Sequence, residues 1–96
     1  MSTLHTVNKS PFERNSFSAC LAHAASGSAV LLIEDGVYAA VAATVEPADG
    51  VKIYVLGPDL AARGMTTDQV AEGIEVVDYG GFVDLAAAHD AVHSWL

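Results

Sequence analysis

The chain has 96 residues and a mass of 9.9 kDa, room for one domain spanning residues 1–96. Twelve acidic against four basic side chains give a formal charge of −8, a field that repels phosphate backbones and excludes direct, general nucleic-acid binding. Apolar residues make up 52% and charged residues 17%, more apolar surface than one small core consumes. No run reaches the roughly 18 to 20 apolar residues of a membrane-spanning helix, so the surplus predicts burial against a partner subunit. Met1 to Lys9 carries Ser2, Thr3, His5, Thr6 and Asn8 instead of a basic stretch before an apolar run. That composition predicts a cytoplasmic protein with no secretory signal.

Leu4 to Val7 is rich in β-formers and runs into Asn8-Lys9-Ser10-Pro11, strand followed by turn. Ser10-Pro11-Phe12-Glu13 has the form of a capping box, with Pro11 at the first helical position, while Asn15 and Ser16 offer a later start. Phe17, Leu21, Ala24 and Ala25 recur at helical spacing as far as Ser26-Gly27-Ser28. Ala29 to Ile33 is a continuous apolar run, the signature of a strand covered on both faces, and ends at Glu34-Asp35-Gly36. Val37 to Ala43 suits one or two helical turns with Asp35 near its N-terminus. After a loop over Glu46 to Gly50 come a strand at Val51 to Leu56 and a helix opened by Gly57-Pro58-Asp59 and closed by Gly64. Thr66 to Val70 can form a short helical turn, and Ile74 to Asp78 reads as a fourth strand ending at Gly80-Gly81. Phe82, Leu85, Ala86, His89, Val92, His93 and Leu96 keep helical spacing and predict a terminal amphipathic helix.

Strand, turn and helix repeated with right-handed crossovers imply an α/β fold: a small, open, mainly parallel sheet with helices on both faces, flavodoxin-like and three-layered. Ligands of such sheets gather at the carboxyl ends of the strands. Here those ends are Asn8-Lys9-Ser10, Glu34-Asp35-Gly36, Gly57-Pro58-Asp59 and Asp78-Tyr79-Gly80, and three of the four are acidic. Neither G-x-G-x-x-G nor a P-loop with its lysine occurs, so no nucleotide cofactor is expected. Adjacent Glu34 and Asp35 point in different directions at a strand end and read as a structural turn. His89 and His93 have the i, i+4 spacing that sets two imidazoles on one helix face, but no third ligand accompanies them and no metal is expected. His5, inside the first strand, reads as a hydrogen-bonded, partly buried side chain.

Cys20 is the one cysteine, which excludes an internal disulfide or a Cys-rich zinc cluster. No G-x-S-x-G elbow is present and the serines lack an evident base, so this thiol is the one nucleophile to weigh. It lies beside the Phe17, Leu21 and Ala24 stripe, where a cysteine behaves as a small buried hydrophobe. Reactivity requires exposure and a positive neighbour, for which His23, Lys9 and Arg14 are nearest in the chain.

Four blocks resemble the DsrH/TusB family of sulfur-relay proteins. They are Leu4-His5-Thr6-Val7-Asn8-Lys9-Ser10-Pro11, Leu32-Ile33-Glu34-Asp35-Gly36-Val37-Tyr38-Ala39-Ala40, Tyr54 to Gly64 and Val77 to Leu85. The likeness spans nearly the whole chain and leans toward DsrH, whose members resemble it in carrying a cysteine in the first helix, matched here by Cys20; TusB-type members commonly lack one. It implies a DsrEFH-like fold and assembly with DsrE-like and DsrF-like subunits into a heterohexamer with two copies of each. It also implies persulfide sulfur passed between proteins, the principal acceptor cysteine lying on the DsrE/TusD subunit and Cys20 being a sulfur-handling residue of auxiliary rank. One accessible thiolate suffices chemically for such a relay.

For the DsrH branch, which the Cys20 match favours, the resemblance implies dissimilatory sulfur oxidation with a DsrC-like acceptor protein. For the TusB branch it implies sulfur delivery for wobble-uridine 2-thiolation in tRNA. The expected protein is thus a sulfur carrier subunit without cofactor, metal, membrane or direct nucleic-acid contact. The alternatives are a non-catalytic scaffold that completes the oligomer, and a stand-alone small-molecule-binding domain, which would require a monomer with an occupied strand-end crevice.

Overall fold

The structure is a computed structural model and describes residues 2–10, 16–41 and 50–95. Strand β1 (Thr3–Val7) precedes helix α1 (Ser16–His23), strand β2 (Ala29–Leu32) and a 3-10 turn (Glu34–Val37) that runs into helix α2 (Tyr38–Val41). Strand β3 (Lys52–Leu56) leads directly into helix α3 (Gly57–Ala62), and a second 3-10 turn (Thr67–Gln69) precedes strand β4 (Ile74–Val77). Helix α4 (Tyr79–Ala88) and strand β5 (Ala91–Trp95) follow. The expected capping box, apart from Ser10, and the Asn15 helix start lie outside the described residues, as do residues 42–43 of the second helix and 46–49 of the following loop.

All strands are parallel and stand in the order β4-β3-β2-β1-β5. From β1 to β4 each crossover steps the same way, so right-handed connections place α1, α2 and α3 on one face. The return from β4 to β5 steps backwards past three strands, and the same handedness places α4 on the other face. Two apolar clusters record this division. Val30, Leu32, Ile53 and Val55 pack with Phe17, Cys20, Ala24, Ala40 and Leu60 on the first face. Leu4, Ala29 and Leu31 pack with Phe82, Leu85 and Ala86 on the second. Strand β2 feeds both, its four residues buried in alternation, and this is why it reads as an unbroken apolar run. Each of Val30, Leu31 and Leu32 is fully buried and contributes about 1.5–3 kcal/mol of transfer free energy.

Helix α3 ends as expected of its glycine. The Met65 N–H donates to the Leu60 carbonyl and the Gly64 N–H to that of Ala61, both at 3.0 Å, with Gly64 at φ +72°. This is a Schellman closure, and its positive φ is why glycine stands there.

The C-terminal expectation is corrected. The segment from Phe82 onward is not one helix: α4 stops at Ala88, and Ala91–Trp95 forms a fifth strand beside β1, Thr3 opposite Ala91 and Val7 opposite Trp95. Without β5 the outer edge of β1 would be unpaired while its side chains are buried, so the ladder outweighs the helical spacing of the apolar residues. Asp90 makes the break. Its carboxylate accepts the Ser2 N–H at 2.9 Å, while the Asp90 and Ala91 N–H groups donate to the Ser2 carbonyl. The i, i+4 pairing of His89 with His93 disappears with the helix: His89 donates from Nδ1 to the Leu85 carbonyl at 2.7 Å, and His93 stands on β5 opposite His5.

Candidate functional site

The carboxyl ends of β1, β2 and β3 meet at the acidic turn after β2. Ile33 donates its N–H to the Val7 carbonyl at 3.0 Å, and Gly36 closes the turn on the Ile33 carbonyl at 2.8 Å. Gly36 lies so near β1 that a Cβ there would sit 2.0 Å from the Val7 carbonyl oxygen, so no other residue fits. Glu34 adopts φ +48°, and its N–H donates to Asp59 Oδ2 at 2.6 Å. Arg63 pairs with Asp35 at 3.0 Å and also donates to the Asp59 carbonyl at 3.2 Å. Asp35 and Asp59 thus tie the turn to α3, Glu34 taking part through its backbone N–H, as the reading of Glu34 and Asp35 as a structural turn anticipated. At the fourth strand end Asp78 caps α4, accepting the Gly81 N–H at 2.8 Å.

A shallow depression beside β3 and β4 is lined by Gly57, Pro58, Val76, Val77, Asp78 and Gly81. Among the described lining residues the one charged group is the capping carboxylate of Asp78, a poor partner for a phosphate. Among the described residues no group of three or more His, Cys, Asp or Glu is disposed to hold a metal ion, and no helix is long and apolar enough to cross a membrane.

Cys20 is the fifth residue of α1, and the i, i+3, i+7 spacing of Phe17, Cys20 and Ala24 turns its side chain onto the sheet. It is 0% exposed. Burial in this apolar layer pushes its thiol up to about 11, so at neutral pH the thiolate is about one part in 10⁴. Of the cationic neighbours named from the sequence, Arg14 lies outside the described residues, and His23 turns its ring edge to Trp95 with centroids 5.9 Å apart.

Next to this layer lies a cluster that sequence reasoning did not find. Trp95 donates from Nε1 to His5 Nδ1 at 3.0 Å. His93 lies tilted against the indole, ring centroids 4.9 Å apart, and the His5 and His93 rings lie 5.9 Å apart. His5 is therefore hydrogen-bonded and buried, as read from its strand position, but its partner comes from 90 residues away. The pairing of β1 with β5 creates the cluster, and with 82–96 taken as one helix its members stay apart. The signals for the strand were Asp90 as a breaker and the alternation of Val92 with His93, Ser94 and Trp95.

Comparison with known proteins agrees with this architecture. A family model described as DsrH like protein matches residues 9–92. Protein TusB of Pectobacterium parmentieri is 36% identical over 96 residues, and Protein TusB of Escherichia coli (strain K12 / DH10B) is 38% identical over 103; each alignment covers 96% of this chain and 99% of the relative. Among solved structures, protein Tm0979 from Thermotoga maritima matches with a TM-score of 0.76 at 22% identity, over 90% of this chain and 92% of that one. The ychN protein from E. coli matches at 0.72 and 16% identity, over 99% and 100%. At those identities the structural likeness concerns the fold. Fold and strand ends together define a small all-parallel α/β domain with no phosphate cradle among its described residues. Within that class the chain belongs to the DsrH-like family, with TusB proteins among its relatives, and so to the subunits of sulfur-relay complexes.

Proposed function

We propose that this chain is the structural subunit of a TusBCD-like relay that delivers sulfur for wobble-uridine 2-thiolation, and that the sulfur travels on a cysteine of a partner chain. The observation that carries this reading is the complete burial of Cys20 in the α1–sheet layer. In a relay step an acceptor thiolate attacks the terminal sulfur of a donor persulfide, the donor S–S bond breaks, the donor leaves as a thiolate and the acceptor becomes the persulfide. A thiol held near 11 and closed from solvent is a poor acceptor. The TusB relatives support the tRNA branch over sulfur oxidation with a DsrC-like acceptor. The cysteine matched in the first helix favours the other branch, in which Cys20 itself carries sulfur.

The partners on this reading are TusC-like and TusD-like chains, the counterparts of the DsrF-like and DsrE-like subunits, in a heterohexamer. They cover the side of the sheet that carries α4. Among the described residues one helix lies there, against α1, α2 and α3 on the opposite side. Tyr79 and Val83, one turn apart on α4, are 61% and 67% exposed, and Val92 on β5 is 52% exposed. Val92 stands in register with Leu4, a member of the cluster under α4, so the three face the same side.

Intact-mass analysis of the co-purified complex after incubation with a persulfide donor tests the assignment. A gain of about 32 Da, one sulfur atom, is expected on a partner subunit and not on this chain. A gain on this chain that disappears in Cys20→Ala would overturn the structural reading in favour of the carrier.

A further inference from the structure

The His5, His23, His93 and Trp95 cluster plays no part in the proposed relay. The indole N–H is a donor only, so His5 Nδ1 must present a lone pair, which fixes His5 as the neutral tautomer with its proton on Nε2. We infer that the Trp95–His5 hydrogen bond is an acid-released latch on β5: a proton taken up at His5 Nδ1 sets donor against donor, expels the indole and loosens the edge strand from β1.

Three observations support the latch. Four of the five β5 residues are exposed and only Trp95 is half-buried, so Trp95 is the main side-chain anchor of the strand. Further side-chain ties from β5 to β1 are the Thr6–Ser94 hydroxyl contact at 3.2 Å and the tilted His5–His93 ring contact. Trp95 also packs against the apolar layer that holds Cys20, so it joins the edge strand to the core. The groups facing His5 then decide the sign. From β5 it meets His93, from α1 His23, and on β2 its register partner is the uncharged Val30. Cys20, also on α1, stays a neutral thiol throughout the acid range.

Burial, then His93 and His23, hold His5 below its ordinary value of 6.5. The unfolded chain therefore takes up this proton more readily than the folded one. The contribution of the latch is complete above about 6.5 and is lost as pH falls through the lower, folded value.

Trp95 is the one tryptophan of these 96 residues, which therefore give one indole N–H resonance. Nitrogen NMR of the His5 ring at pH 7.5 is expected to show the Nε2–H tautomer. The indole resonance is expected downfield, moving upfield at a midpoint below 6.5, with lower protection of the amides of residues 91–95, relative to their intrinsic exchange rates at each pH, on the acid side of it. In Trp95→Phe the His5 midpoint rises by about 0.5 to 1, because the lone pair is no longer engaged. In His5→Gln, which keeps an acceptor and cannot titrate, the transition disappears. An Nδ1–H tautomer, an indole resonance indifferent to pH, or an unchanged transition in a folded His5→Gln would each overturn the inference. The tautomer and the wild-type titration decide the matter even if a variant does not fold.

Discussion

Cys20 and Gly36 show how single positions are held. At Cys20 the side chain is packed on all sides, so Cys20→Ala leaves a small void and costs about 1 kcal/mol. Cys20→Ser places a hydroxyl in the same apolar layer and costs about 1–3 kcal/mol. Urea denaturation of the three proteins checks that order, and serine as the milder change would contradict the packing. Reactivity follows from the same burial. Alkylation by iodoacetamide at pH 7.5 is expected to be at least about 100-fold slower in the folded chain than in urea, since the reagent needs both access and thiolate; equal rates would place the thiol at the surface. At Gly36 the obstacle is backbone, not a movable side chain. Gly36→Ala therefore forces β1 and the acidic turn apart, at a cost of about 3 kcal/mol, read from the shift in the denaturation midpoint.

At the scale of elements, the acidic turn and α3 form a unit, and its ion pair contributes little to stability. Asp35 is half exposed and Arg63 a quarter, so solvent screens the pair and Arg63→Ala is expected to cost only about 0.5 to 1 kcal/mol. A loss well above that, persisting in 1 M salt, would show that the guanidinium holds the turn by its hydrogen bond to the Asp59 carbonyl. The elements also show what was legible in the chain. Ala29 to Ile33 was readable because a doubly covered strand has no polar face, and the α3 closure because Pro58 and Gly64 punctuate it. The acids at 34 and 35 were readable as a structural turn because adjacent residues at a strand end point in different directions. The helix from Phe82 to Ala88 was readable too, but residues 89–95 were not, because β5 is defined by pairing with β1, a contact 88 residues away in sequence, while its own apolar spacing also satisfies a helix turn. The Trp95–His5 contact, a consequence of that pairing, was hidden with it. The burial of Cys20 was half visible: the Phe17 and Ala24 stripe pointed inward, and the family resemblance drew the expectation toward reactivity.

Among the described residues, the whole molecule joins a well-covered face to one that a single helix covers. With a charge of −8 and few cations, Asp35, Asp59 and Asp78 at its strand ends engaged in hydrogen bonds and its lone thiol buried, the contribution to a relay that we propose is a surface that organises other chains. Val83→Asp puts a charge into the exposed stripe of α4. It is expected to leave the isolated fold intact, within about 0.5 kcal/mol, while reducing recovery of partner subunits on co-purification at least about tenfold. Undiminished recovery would move the interface elsewhere on the molecule. The most direct measurement of the central claim is the 2-thiouridine content of tRNA in cells that lack this subunit and carry either the wild-type chain or Cys20→Ala. Structural action through partners predicts that the variant restores thiolation to within about twofold of wild type, the loss left by a modest stability change alone. Thiolation that stays absent, with the variant present at normal level in the assembled complex, would contradict it.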